Sequence, residues 1–234
     1  AVVLDQTYGA DLRYGETSPL LGGTRVDETS DALLGLARYR FGERFSVHGG
    51  LRVQRSSAEV RLNGLAYGPV RGYRVRLGPD TATGLVAGIA YERPEIALRL
   101  AATYHSAVDH ALATTETAPL ALLNGLSTTR ISTPRAVNLD FQTGIAADTL
   151  LFGQLRWADW SAFRVDPQRF MAVTGEGLIE LDDTRTMTLG IAQRFNPRWS
   201  GALSVNYEAK GDPLVSPLSP VNGRRGATLA AIYT

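Results

Sequence analysis

The sequence contains no cysteine, which excludes disulfides and thiolate chemistry and removes the usual clue to redox compartment. Lysine is nearly missing as well: of 24 basic residues only Lys210 is a lysine. Basic and acidic residues balance to a net charge of +1, which gives no electrostatic reason to expect a nucleic-acid partner. No uninterrupted apolar run approaches the roughly 18 residues of a membrane helix. If the chain crosses a bilayer, it does so as a closed barrel. Half the positions of such a barrel face water, so a mild hydropathy does not argue against a membrane.

What the chain does have is alternation, most clearly between Thr133 and Asp166. Val137, Leu139, Phe141 and Ile145 occupy odd positions, with Asn138, Asp140, Gln142 and Gly144 between them. Residues 146–149 can close a tight reversal, after which Leu151, Leu155 and Trp157 share one face and Gln154 and Arg156 the other. This is a long hairpin with one apolar and one polar face. Periodicity alone leaves open whether the polar face meets bulk water in a soluble sandwich or lines the lumen of a membrane barrel.

The rest of the chain favours the barrel. Strands are expected over 1–14, 31–41, 45–54, 83–91, 96–105, 137–145, 151–157, 185–195, 199–208 and from Gly226 into Thr234. Tight turns near 43, 94, 148 and 197 recur about every fifty residues. Between them run long connections over 15–25, 63–80, 119–134, 166–183 and 210–225. Short turns alternating with long loops mark a barrel inserted from one side of a membrane. A propeller of the same period needs four short strands per blade, and only two long ones are present per period. Tyr39, Phe41, Phe45, Tyr91, Phe195 and Trp199 crowd the tight turns, and Tyr104, Trp157, Trp160, Phe163 and Tyr207 lie toward the other ends. Two such belts fit the interfacial girdles of an outer-membrane barrel. The expected fold class is therefore all-β, an antiparallel up-and-down transmembrane β-barrel of about ten visible strands.

The run P-x-A-V-N-L from Pro134 to Leu139, the short turn, and L-x-W-x-D-W-S-x-F from Leu155 to Phe163 resemble a hairpin of the FadL-type long-chain fatty acid transporters. These are outer-membrane barrels that include aromatic-hydrocarbon importers, and the resemblance extends over residues 1–234 as one barrel domain. It implies a barrel of about fourteen strands, an N-terminal hatch, capture of apolar ligands at the outer loops and sideways release through a wall opening. The hatch and the final strands are not seen in this sequence. Residue 1 already lies in a strand-like run, and Thr234 is not the terminal aromatic of such barrels, so the chain reads as a segment of a longer precursor. The implied setting is the bacterial outer membrane, with lipid and lipopolysaccharide around a monomer and a fatty acid or hydrocarbon as ligand. A structural or adhesive barrel with partner-binding loops is the alternative.

No catalytic residue, metal or cofactor is expected. His105, Asp109 and His110 lack the helical frame of a zinc site, the glycine-rich stretches lack a following helix, and no Ser–His pairing stands out. Arg52, Arg99 and Arg156, with His48 and His105, fall on the inward faces. They suit either recognition of a ligand carboxylate or structural charge ladders with Asp140 and Glu208. Leu120, Leu122 and Leu123, with Phe170 and Met171, are the expected apolar capture surface of the outer loops. Glycines 49, 50, 84, 88, 144 and 153 are expected to make room in the lumen or to permit kinks.

Overall fold

The computed structural model describes residues 1–211, 216–220 and 222–233. In chain order the strands are β1 (Val2–Arg13), β2 (Arg25–Phe41), β3 (Phe45–Arg61), β4 (Arg74–Arg93), β5 (Leu98–His105), β6 (Val108–Thr117), β7 (Gly125–Thr133), β8 (Ala136–Ala146) and β9 (Thr149–Ala158). A short pair, β10 (Arg164–Val165) and β11 (Ile179–Glu180), flanks the helix α1 (Gln168–Thr174), and β12 (Thr184–Arg194), β13 (Trp199–Glu208) and β14 (Arg224–Tyr233) follow. Twelve strands form one antiparallel sheet, hydrogen-bonded in the order β1-β2-β3-β4-β5-β8-β9-β12-β13-β14, with β6 paired to β4 and β7. A single cavity is lined from β1, β2, β3, β5, β9, β12 and β13, so the sheet curls around a common interior.

Tight reversals and long connections alternate as the sequence indicated. Gly42 and Asp148, both at φ 59, supply the left-handed residue of the β2–β3 and β8–β9 turns. Glycine takes that conformation without a Cβ clash, and Asp tolerates it. The outward face between the two ends is apolar. Leu139 is 47% exposed, and the register sets Leu139 against Leu155, Leu155 against Met187, and Leu51 against Leu85. Such a continuous apolar surface is a liability in water and the expected exterior in lipid. At the turn end Tyr39 meets Phe41 at 4.8 Å and Phe45 meets Tyr91 at 5.0 Å, as a girdle. Beyond the apolar band the outward face becomes ionic, with Arg25 on Asp27 at 2.7 Å and Arg74 and Arg76 on Glu59, each at 3.1 Å.

Several expectations need correction. The stretch 119–134 is not a loop: Gly125–Thr133 is β7, whose Ser- and Thr-rich sequence conceals its pairing with β6. Strand β4 begins at Arg74 within the expected connection 63–80, and Gly78 and Pro79 sit at a register shift opposite β3. Proline is tolerated there because that length of β4 has no partner on its other side. Strand β2 starts at Arg25 rather than Asp31, and the connection 166–183 contains α1 and β11. Of the expected loop 210–225, residues 212–215 and 221 lie outside the described residues, as does Thr234. Trp160 and Phe163 are not in a girdle, since Trp160 packs edge-on against Tyr8 at 5.2 Å and against Phe163 at 5.7 Å inside the outer half. Gly153 lies under the outward Phe141 ring rather than making room inside.

The outer end carries a packed core drawn from Val60, Leu62, Tyr73, Val75, Leu112, Leu123 and Phe170, with residues of the long connections. Glu116, only 1% exposed, ties this cap together. Its carboxylate accepts from the Tyr73 hydroxyl at 2.9 Å and from the backbone N–H of Arg169 at 3.0 Å and of Phe170 at 2.8 Å, holding the start of α1 on the β6–β7 hairpin.

Two outcomes follow from this packing. Leu139→Arg, on the lipid face, should cost about 2–4 kcal/mol of folding free energy near the bilayer midplane, and Gln142→Arg on the inner face distinctly less, in a lipid-vesicle folding titration. Glu116→Ala removes the acceptor of three donors, two of them buried at about 1–3 kcal/mol each, so limited proteolysis should cut 159–183 faster while the membrane strands stay folded.

Candidate functional site

The β5–β6 and β7–β8 strands break together, at 106–107 and at 134–135. Register is kept across the break, with His105 opposite Ala136 and Val108 opposite Thr133. The inward set nevertheless changes from odd residues such as Thr103 and His105 to the buried even residues Val108, His110, Leu112, Thr114 and Glu116. The hairpin therefore bends as a unit. Strand β4 pairs with β5 through 86–93 and with β6 only through 74–77. Between these stretches the ladder is interrupted, a window in the backbone pairing of the wall that ends where the Ser106 N–H donates to the Leu85 carbonyl at 2.9 Å.

Side chains close part of the window. Ser106 Oγ accepts from the Leu85 N–H at 2.8 Å at one end. Across the middle, Asp80 Oδ2 contacts His110 Nδ1 at 3.0 Å and accepts from the Ala111 N–H at 3.3 Å. A Cβ at Gly84 would meet a Val108 methyl at 2.7 Å, so this glycine permits the close approach at the window's edge.

Beside the window lies a charged basin of about 550 Å³, lined by Arg52, Arg156 and His105 together with Asp5, Glu208 and Trp160 among others. Arg52, 5% exposed, donates to the Ser106 carbonyl at 3.1 Å and leaves its Nε without a partner. Arg156 donates to Asn138 at 2.9 Å. Neither arginine has a carboxylate partner among the described residues. The expected ladders are not formed, because Asp140 accepts from Gln154 at 2.6 Å and Glu208 from Thr186 at 2.9 Å. His48 contacts Thr103 at 3.0 Å, and its ring occupies the space that a Cβ at Gly88 would fill.

The structure thus brings Arg52, Arg156, His48 and His105 into one region and leaves Arg99 out. Arg99 lies at the tight-turn end, 3.5 Å from Glu92, which also holds Arg38 at 2.8 Å and Arg40 at 3.3 Å. The capture residues divide in the same way. Leu122 is 71% exposed at the β6–β7 tip and Leu120 is also exposed, whereas Leu123 is fully buried and Phe170 packs on Tyr73 at 5.0 Å within the cap. Met171 is half-buried. His105, Asp109 and His110 do not converge: Asp109 accepts from Ser132 at 2.7 Å, and His110 turns to Asp80.

Toward the outer end the basin continues into a larger chamber of about 900 Å³, and the two share Gln6, Thr7, Tyr8 and Trp160. Its wall is mostly apolar, with Val26, Ile131, Phe163, Ile179, Leu181 and Leu218. This chamber was not found from the sequence. The signal lay in carrying β2's alternation back past Asp31, where Ala32, Ser30, Glu28 and Val26 continue the inward set.

No family model matches the sequence, and a search of curated proteins finds no relative. Solved structures do match. A Pseudomonas aeruginosa FadL homologue superposes with a TM-score of 0.75 at 17% identity over 99% of this chain. The Pseudomonas putida toluene transporter TodX gives 0.63 at 13% over 100% of the chain, and the monoaromatic hydrocarbon channel CymD gives 0.61 at 13% over 97%. The chain spans 61% of the length of the FadL homologue, 69% of TodX and 68% of CymD. Identity at this level speaks to architecture, and the architecture of this chain is the FadL-type barrel fold.

Proposed function

We propose that this chain forms part of the wall of a passive outer-membrane passage for hydrophobic small molecules, with long-chain fatty acids as the leading ligand class. The observation that carries the reading is the continuity of the interior, from an apolar chamber under the outer cap, past Trp160, into a basin beside a wall window. In this reading an apolar molecule is captured near the exposed Leu120 and Leu122, held in the lumen and released sideways between β4 and β6. Outer-membrane lipid bathes the apolar band, one copy suffices, and no catalytic group takes part.

The preference for a carboxylate rests on Arg52 and Arg156. Neither cation has an ion pair among the described residues, and a guanidinium held beside small and polar neighbours suits a carboxylate through charge-assisted hydrogen bonds. A second reading, neutral monoaromatic hydrocarbons, is favoured by the ligands named for TodX and CymD and by the aromatic wall of the chamber.

Binding of a fatty acid and of an alkane of equal length separates the two. Arg52→Gln and Arg156→Gln should each weaken fatty-acid binding about tenfold or more, from a charge-assisted bond of roughly 1.5–3 kcal/mol, and leave the alkane unchanged. Arg99→Gln, at the tight-turn end, should alter neither. Equal losses for both ligands, or no loss for either, would remove the carboxylate preference and favour the hydrocarbon reading.

A further inference from the structure

Glu28 stands out among the chamber's lining residues. It belongs to the inward set of β2 and faces the cavity with Tyr8, Val26, Trp160, Phe163 and Leu218. Its carboxyl makes no hydrogen bond or ion pair among the described residues, and burial pushes its pKa up to about 7. None of the other charged groups of the chamber pairs with it among the described residues. On β1, Asp11 is held by Arg13 at 2.8 Å, and on β2 itself Asp27 is held by Arg25 at 2.7 Å. The cross-strand neighbours of Glu28 are Ala10 and Ala58, and Arg224 of β14 lines the same chamber without pairing to it. Glu28 also lies above the membrane band, because the outward positions beside it are Arg25, Asp27, Thr29 and Asp31 and the first outward apolar residue is Leu33.

A half-buried carboxyl without a partner among the described residues, in a chamber whose exposed wall is largely apolar, stabilises nothing in the fold. It costs free energy that a leucine at the same place would not. Its use is to a guest that brings the missing partner. A ligand carboxylate placed against Glu28 would be repelled once Glu28 is ionised, whereas in the basin it meets Arg52 and Arg156, and a plain hydrocarbon leaves Glu28 unsatisfied. A molecule that is apolar apart from one hydroxyl satisfies it and leaves its body to the wall of Trp160, Phe163 and Leu218.

We propose that the outer chamber is a subsite for hydroxylated hydrocarbons, alkylphenols and long-chain alcohols, with the ligand hydroxyl donating to the Glu28 carboxylate. The proposal rests on the reading of the interior as a path for apolar ligands, and it adds a selectivity independent of Arg52 and Arg156.

The test uses the full chain in detergent with Trp157→Phe and Trp199→Phe, so that Trp160 fluorescence reports on the chamber. The probes are 4-octylphenol and octylbenzene, which differ by one hydroxyl. In the chain with Glu28 intact, octylphenol should bind about tenfold more tightly than octylbenzene at pH 8, as a charge-assisted bond gives. The ratio should shrink toward pH 6 as Glu28 takes up its proton. Glu28→Gln should make the ratio smaller and independent of pH, and Glu28→Leu should abolish it while binding octylbenzene at least as well. Octylbenzene binding in both variants also shows that the chamber is still formed. A ratio that persists in Glu28→Leu, or that ignores pH with Glu28 intact, overturns the subsite. Failure of octylbenzene to bind with Glu28 intact defeats the lumen reading itself, and this proposal with it.

Discussion

Pairing of backbone N–H and C=O groups within the sheet is the constraint on which everything else in this chain depends. Hydrocarbon offers those groups no partner, so a strand crossing it must be bonded to a neighbour on each side. The continuous register from β5 through β8, β9 and β12 to β13 meets that requirement for β8, β9 and β12, whereas β1 and β14 are paired on one side only among the described residues. The wall between β4 and β6 does not meet it, and there the molecule substitutes a carboxylate, a histidine and a serine hydroxyl for the missing ladder. A side-chain bridge can open without unravelling a sheet. That difference separates a window from a defect.

The bend that makes the window also builds the interior. By flipping the inward set of β6, it turns Leu112, Thr114 and Glu116 toward the cap, where Glu116 fastens α1. Sequestering Leu123 and Phe170 in that cap leaves the outer loops with a smaller exposed apolar surface than their composition suggests. The lumen below stays polar but incompletely paired. Arg99 pairs with Glu92, while among the described residues Arg52 and Arg156 donate to a backbone carbonyl and to an amide oxygen.

Much of this was legible in the sequence because a membrane barrel writes a period of two. The hairpin Val137 to Trp157, the tight turns and the lipid face of β3 and β8 all follow from it. What was not legible lacks that period. β7 is a run of Ser and Thr whose strand character comes from pairing with β6, and the start of β4 is interrupted by Gly78-Pro79. Asp80 and His110 are far apart in sequence and meet only because the hairpin bends. The inward arginines could be placed on the correct face, but alternation carries no information on their height along the strand. That height puts Arg52 beside the window and Arg99 at the opposite end.

The central claim is that ligand leaves through the wall between β4 and β6, and the absence of native cysteine makes it directly testable. With Thr81→Cys and Asp109→Cys on the two sides of the window, a short bis-maleimide can strap it shut in protein reconstituted in lipid vesicles. Transfer of a lumen-bound fluorescent fatty acid into the surrounding bilayer is then followed in time. The account predicts that strapping slows transfer at least tenfold while equilibrium binding is unchanged, and that either single cysteine treated alike has no effect. Transfer from the strapped protein at the unstrapped rate would show that the ligand takes another way out.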